Sequence, residues 1–268
     1  LNTKEFAVRY ALSAIKNVGS QAILSICNER KKNGSFNSLL DFANRINASE
    51  LNKRQIENLA KSGSFDLIDT NRSKIYRSSE YLLKVATKAS EDRKSSQENL
   101  FGNIEEEQLE LPNSLPWGEM EALKEEFEAI GFYLSGHPLD AYSSVLEKLD
   151  IKRFDTTIIG LNNINDKVRL AGSIESIQER TSSRGNKFAF ISLSDTSGSF
   201  EVIIFSEQLS EYRELLFVGN KVIITVDIKF EDNLPKLSTI NISSLDDASA
   251  LDKNRLEIRL SLNDGEHE

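Results

Sequence analysis

Between Asp166 and Ile242 the apolar residues recur at every second position, and this period limits the possible folds of the chain more than any other feature. Val168, Leu170, Gly172 and Ile174 alternate with polar or small residues, as in a strand with one buried face. Lys187 to Leu193 reads as a second strand, Asp195-Thr196-Ser197-Gly198 as a hairpin turn, and Phe200 to Phe205 as a third strand. Leu209 to Leu216 reads as a helix. Lys221 to Phe230 and Pro235 to Ile242 are two further strands around Asp232-Asn233. Three strands, a helix and two more strands within about 80 residues is the order of a five-stranded OB barrel. Residues 254–262 read as one more strand, the start of a following domain.

Upstream the period is helical. Phe6 to Ile15 reads as a short helix broken at Lys16-Asn17-Val18-Gly19, and Ser20 to Lys32 as a second, with Ile23, Ile26 and Cys27 on one face. Asn33-Gly34 ends it, because both residues tolerate a left-handed C-cap. Ser38 to Ile46 forms a third helix with Leu39, Phe42 and Ala43 inward. Ser49 is placed to cap a fourth, which carries Ile56, Leu59 and Ala60 and stops at Gly63. Phe65 folds back, and Arg72 to Lys88 continues as helix. Residues 89–113 turn to Ser, Glu, Asn and Gln, with the acidic run Glu105-Glu106-Glu107, and read as a linker. Pro116-Trp117 opens a helix to Ile130 with Met120, Leu123, Phe127 and Ile130 as its apolar stripe; Ala141 to Leu149 forms another. The organisation is therefore multidomain: an all-α helix-hairpin-helix domain over 1–88, the linker over 89–113, a helical connector over 114–160, an all-β OB-fold over 161–245, and the start of a C-terminal domain over 246–268.

Composition excludes some functions. No apolar run approaches a membrane span, and the single cysteine, Cys27, allows neither an intrachain disulfide nor a cysteine metal cluster. It reads as a small core residue. The chain begins at Leu1 and its only methionine is Met120, so an internal piece of a longer protein is expected. The net charge of −9 is uneven: residues 1–85 hold 14 Lys/Arg against 8 Asp/Glu, while 86–165 hold 7 against 16. A basic first segment in an acidic chain is the pattern of a polyanion site, though a merely solvated basic surface has the same composition.

Three features carry possible chemistry. The break at Lys16-Asn17-Val18-Gly19 joins two short helices, and a turn with little side-chain bulk brings its backbone N–H groups close to a DNA phosphate. Asn17 accepts positive φ readily, Lys16 adds a charge, and Arg30, Lys31 and Lys32 are placed to extend the contact. An ordinary αα-hairpin is the alternative. Second, Gln97, Leu100 and Phe101 put two bulky apolar residues behind a glutamine in a polar linker, as in a peptide anchor that a partner buries; a local helix packed on its own domain is the alternative. Third, Phe188 and Phe190 share one face of the second strand and Ala189, Ile191 and Leu193 the other. If the latter are core, the rings face outward beside Arg180, Arg184 and Lys187, as stacking platforms for an unpaired strand. In the reverse register the rings are core. His137, between Gly136 and Pro138, lacks a ligand-spaced partner and reads as a turn residue. No phosphate-binding Gly-rich loop, Ser/His/Asp set or metal cluster stands out, so neither catalytic residues nor a cofactor are expected here.

Ala14-Ile15-Lys16-Asn17-Val18-Gly19, Gly34-Ser35-Phe36, Leu39-Leu40-Asp41-Phe42, Gly63-Ser64-Phe65-Asp66 and the run Glu128 to Asp140 resemble the bacterial DNA polymerase III alpha subunits. So do Phe188-Ala189-Phe190 and Leu193-Ser194-Asp195. The resemblance runs in order along essentially the whole chain, with Gly131 to Asp140 its most specific part. It implies a C-terminal portion of a DNA-directed DNA polymerase, a nucleotidyltransferase of the bacterial cytoplasm and nucleoid. The family's Mg²⁺-binding catalytic carboxylates would lie upstream of Leu1. It also implies duplex and single-stranded DNA as ligands, docking of Gln97, Leu100 and Phe101 on the β sliding clamp, and a tau-binding domain beyond this chain. In the family a glycine is usual where Asn17 stands. The alternatives are a hairpin-and-barrel module of a repair or recombination protein, and a protein-interaction scaffold.

Overall fold

The computed structural model describes residues 10–94, 111–112, 114–160, 167–231 and 234–253. Gln97, Leu100 and Phe101, the Asp232-Asn233 turn and the 254–262 strand lie outside them. The chain divides into two units, Leu1–Ser135 and Gly136–Glu268.

The first unit is helical. Within the described part of the expected Phe6–Ile15 helix there is only a 3-10 turn, Leu12–Ala14. Ile15 and Val18 on either side of the hairpin turn are buried, and Asn17 between them takes the left-handed conformation at φ 61°. Helix α1 (Ser20–Asn33) buries Ala22, Ile23 and Ile26 and ends at Gly34, φ 83°; Cys27 is half-buried against the same core. Helix α2 (Leu39–Arg45) is capped by Ser38, whose Oγ accepts from the Asp41 N–H. Helix α3 (Lys53–Lys61) starts later than expected. Ser49 spends its hydroxyl on Asn47 Oδ1 within a 3-10 turn, whereas Asn52 and Gln55 cap each other's backbone N–H groups reciprocally. The expected Arg72–Lys88 helix is two, α4 (Arg72–Arg77) and α5 (Ser79–Lys94), parted at Ser78, whose Oγ bonds back to the Lys74 carbonyl. Helix α5 runs past residue 88 into the expected linker because its last turns have partners: Ser90 Oγ accepts from the Ala48 N–H and Arg93 donates to the Ile46 carbonyl. Helix α6 (Glu119–Ile130) starts after Gly118 and ends at Gly131, φ 99°. Its buried face is Leu123, Glu126, Ala129 and Ile130, while Met120 is exposed. Side chains from α1, α2, α3, α4, α5 and α6 share one core.

The second unit is a closed barrel of β1 (Lys167–Thr181), β2 (Lys187–Asp195), β3 (Gly198–Phe205), β4 (Lys221–Glu231) and β5 (Leu234–Ser244), in the order β1-β2-β3-β5-β4. With the helical first unit, this is the expected all-α then OB-type arrangement. The alternating residues meet inside: Leu170, Ile174, Ala189, Ile191, Leu193, Val202, Ile204, Ile224, Val226 and Ile228. Gly172 lets β1 approach β2, since a Cβ there would lie 2.9 Å from that of Leu193. Among the described residues four helices accompany the barrel: α7 (Ser143–Lys148), α8 (Phe154–Gly160), α9 (Ser206–Glu211) and α10 (Leu245–Lys253). Phe154 of α8 stacks on Phe200, ring centroids 4.6 Å apart. Before α7 runs a 3-10 turn, Pro138–Tyr142. Outside the barrel wall Leu139, Val145, Ile151, Ala171, Ile223 and Leu245 form a second core, so this flank of the sheet is apolar on both faces. Tyr142 hydroxyl to Asp246 ties α10 to the same flank.

Candidate nucleic-acid interface

Strand β2 has the register that exposes the aromatics. Ala189, Ile191 and Leu193 are buried, and Phe188 and Phe190 project from the outer face, their centroids 5.5 Å apart and edge to face. Pairing assigns their neighbours. Arg180 of β1 sits opposite Phe188, and Gln178 opposite Phe190. Across β2, Phe188 pairs with Phe205 of β3, Phe190 with Ile203 and Ser192 with Glu201. The Arg180 guanidinium lies 5.2 Å from the Phe190 centroid, within cation–π range. Arg184 and Lys187 are exposed, at and beside the tight Ser182–Asn186 turn, where the Ser182 N–H donates to the Asn186 carbonyl and Gly185 takes φ 81°. The expected cations and rings are therefore together at one end of the sheet. Phe205 and Ile203 were not among the expected residues. Their signal was the alternation of Phe200, Val202 and Ile204 inward, which leaves 203 and 205 outward.

The other end of that face is covered. His137 Nε2 lies 3.1 Å from Ser194 Oγ, and Nδ1 accepts from the Leu139 N–H at 3.1 Å. An Nδ1 that accepts is unprotonated, so Nε2 holds the proton and donates to Ser194. Burial pushes the imidazole below its ordinary range, against the pull of Asp140, Asp195 and Glu175. His137 is thus the turn residue its sequence setting implied, capping the Pro138–Tyr142 turn. Asp195 pins the β2–β3 hairpin by accepting from the Ser197 N–H, and accepts from the Phe154 N–H at the head of α8.

In the first unit, the hairpin turn presents Asn17 and the head of α1. Gly19 is the N-cap, and among the described residues no side chain caps the first-turn N–H groups. The side chain of Val18 is buried and its N–H donates to the Ile15 carbonyl, so any contact it makes with an anion is limited to what the backbone offers. The Lys16 N–H is tied to the Ala129 carbonyl, and its ammonium sits 5.8 Å from the Phe127 centroid. Arg30, Lys31 and Lys32 do not join this turn. They occupy the last turn of α1, about 17 Å along the axis from Gly19, at the end where cations complement the helix dipole.

A buried charge cluster holds the first unit behind the hairpin. Glu126 has no exposed surface, yet accepts from the N–H groups of Leu134 and Ser135, the Ser135 hydroxyl and Arg72. Burial raises its pKa, and these four donors outweigh burial, so it lies below the ordinary carboxylate range. Arg72 also grips Asp66, 2.7 Å from Nη2. Among the described residues no His/Cys/Asp/Glu group could hold a metal ion, and no helix is long and apolar enough to cross a membrane.

Family models agree with this geometry: residues 1–75 match a helix-hairpin-helix motif and 168–243 an OB-fold nucleic acid binding domain. In class, the chain joins a helix-hairpin-helix region to a barrel similar to the OB-fold nucleic acid binding domains. The chain is related to the DNA polymerase III alpha subunits, and spans about a fifth of the length of the curated relatives it matches. It is 37% identical to that of Caulobacter vibrioides over 226 residues, which is 84% of this chain and 20% of the relative. It is 33% identical to that of Neisseria meningitidis serogroup B over 230 residues, 85% of this chain and 19% of the relative. With that of Escherichia coli the identity is 30% over 263 residues, 95% of this chain and 22% of the relative.

Proposed function

We propose that this chain is a non-catalytic, DNA-holding segment of a replicative DNA polymerase III alpha subunit. The observation that carries the reading is the outer face of β2, where Phe188 and Phe190 stand beside Arg180 at the end that also bears Arg184 and Lys187. Rings beside cations suit unpaired DNA, because every base has a face to stack and every phosphate a charge to meet. The hairpin at Lys16–Gly19 would hold duplex DNA by its backbone, without reading sequence. Gln97, Leu100 and Phe101 would dock on the β sliding clamp, and a domain outside this chain would meet the clamp-loader tau subunit. Mg²⁺-dependent nucleotidyl transfer would belong to the rest of the subunit, in the bacterial cytoplasm at the nucleoid. Several weak contacts in one chain give processivity while each can still release.

Titration calorimetry with the β clamp tests the tether, comparing the chain with its Gln97→Ala, Leu100→Ala, Phe101→Ala variant. Binding lost in the variant supports the replicative role. A chain that ignores the clamp but prefers branched DNA would be a repair module instead.

A further inference from the structure

The start of β1 carries a second group of cations, beyond the apolar cover of the barrel. Lys167, Arg169 and Ala171 share the outer face of β1, with Asp227, Thr225 and Ile223 of β4 opposite them. Leu139, Val145, Ile151 and Leu245 cover the Ala171–Ile223 row. The two rows beyond it border an open groove of about 460 Å³ between β1 and the chain around the head of α8. Lys167 and Arg169 line this groove from the strand, and Lys152 lines it from the other wall.

Buried neighbours hold these cations in place. Ile151 sits in the outer core and its N–H donates to the Leu146 carbonyl, which fixes the position of Lys152. Leu170, wholly buried inside the barrel, turns Arg169 and Lys167 outward, about 7 Å apart along the strand. The nearby carboxylates are engaged elsewhere: Asp155 takes Arg153 at 3.2 Å and Asp227 takes Lys229 at 3.8 Å. Asp150 also lines the groove, and among the described residues it pairs with none of the three cations. Asp166, next to Lys167 in sequence, lies outside the described residues. Among the described residues no aromatic ring lines this groove.

Resting on the reading of the chain as a DNA-holding segment, we propose that this groove is a further nucleic-acid contact, which takes the phosphodiester backbone of duplex DNA. Three cations on an open wall meet phosphates by charge alone. Without a ring to stack a base, the groove offers an unpaired strand nothing beyond what a paired one receives. The cover over Ala171 separates it from Phe188 and Phe190, so the barrel meets two segments of DNA on two faces.

The test titrates the full chain with a blunt-ended duplex, and with oligothymidylate as the unpaired control. Lys152→Gln, Lys167→Gln and Arg169→Gln together should weaken duplex binding about ten-fold or more near 0.1 M salt, and flatten the slope of log affinity against log salt by about 2–3. Oligothymidylate affinity should not change, and melting curves check the fold. In the unaltered chain, duplex should shield Lys152 and Lys167 from acylation read by mass spectrometry, which needs no variant. An equal loss of oligothymidylate binding would give the groove to the unpaired strand and overturn the assignment. Equal shielding by inorganic pyrophosphate at the same phosphate concentration would make it a small-anion site and overturn it too. If duplex binds but the slope stays or the lysines remain reactive, the groove is only a solvated face, while the hairpin still holds DNA. If the chain binds neither DNA, the DNA-holding reading fails and takes the groove with it.

Discussion

Glu126 Oε2 lies 2.9 Å from Arg72 Nη1, and the glutamate that makes this ion pair is wholly buried. The pair links α6 to α4, while the other Glu126 oxygen accepts from the Leu134 and Ser135 N–H groups and fixes the turn after Gly131.

Removing that carboxylate leaves Arg72 with Asp66 as its remaining ion-pair partner and takes the acceptor from the Leu134 and Ser135 N–H groups. Glu126→Ala is expected to cost about 3 kcal/mol of unfolding free energy, measured by urea titration at neutral pH. The folded pKa is depressed, so this stabilisation is complete above the ordinary carboxylate value and fades as pH falls through the folded one. The difference between wild type and variant should therefore shrink in acid; a constant difference would mean that packing and not charge sets the cost.

Asn17 at φ 61° gives a sharper backbone test. Asn17→Gly should match or slightly exceed wild-type stability, whereas Asn17→Val should lose about 1–2 kcal/mol, because a β-branched residue resists the left-handed region. Thermal unfolding of the two variants decides it. Equal melting temperatures would show that the turn relaxes to another conformation.

His137 predicts a second pH effect, of the same sign. Its folded pKa is lowered by burial, so neutral His137 contributes fully above the ordinary imidazole value and loses its contribution as pH falls through the folded value. Protonation would set an Nδ1–H against the Leu139 N–H. Wild type should lose stability toward pH 5 more steeply than His137→Gln, and NMR titration of the ring should give a midpoint below about 6.5. A midpoint above that value would reverse the assignment.

Phe188→Ala and Phe190→Ala remove half-exposed rings and should leave the fold intact. Each should weaken single-stranded DNA binding by about 1–3 kcal/mol if it stacks on a base. Raising the salt should weaken wild type and variants in parallel, since the cations at Arg180, Arg184 and Lys187 remain. Melting curves run beside the binding curves separate lost stacking from lost fold.

The barrel was legible because its strands bury one face, so 168–174, 187–193 and 200–205 write their period into the sequence. The turn at Asn17 was legible for a similar reason: few residue types accept its backbone. Glu126 was not. It occupies a helix position where a carboxylate ordinarily faces water, and its partner Arg72 lies far away in sequence. Helices α8 and α10 were missed because they are short, and what fixes them is tertiary: Phe154 on Phe200, Leu245 against Ala171 and Ile223. Ser49 was expected as the cap because it fits locally; the reciprocal bonds between Asn52 and Gln55 put the cap at Asn52 instead.

The apolar flank of the barrel has a practical meaning for anyone who would excise it. A protein trimmed to begin at residue 161 would carry all five strands yet lose Leu139, Val145 and Ile151, and with them the lining that keeps Ala171 and Ile223 dry. Such a fragment would offer a greasy flank to its neighbours and tend to clump in solution. Trimmed instead at Gly136, the same strands would leave with their own cladding.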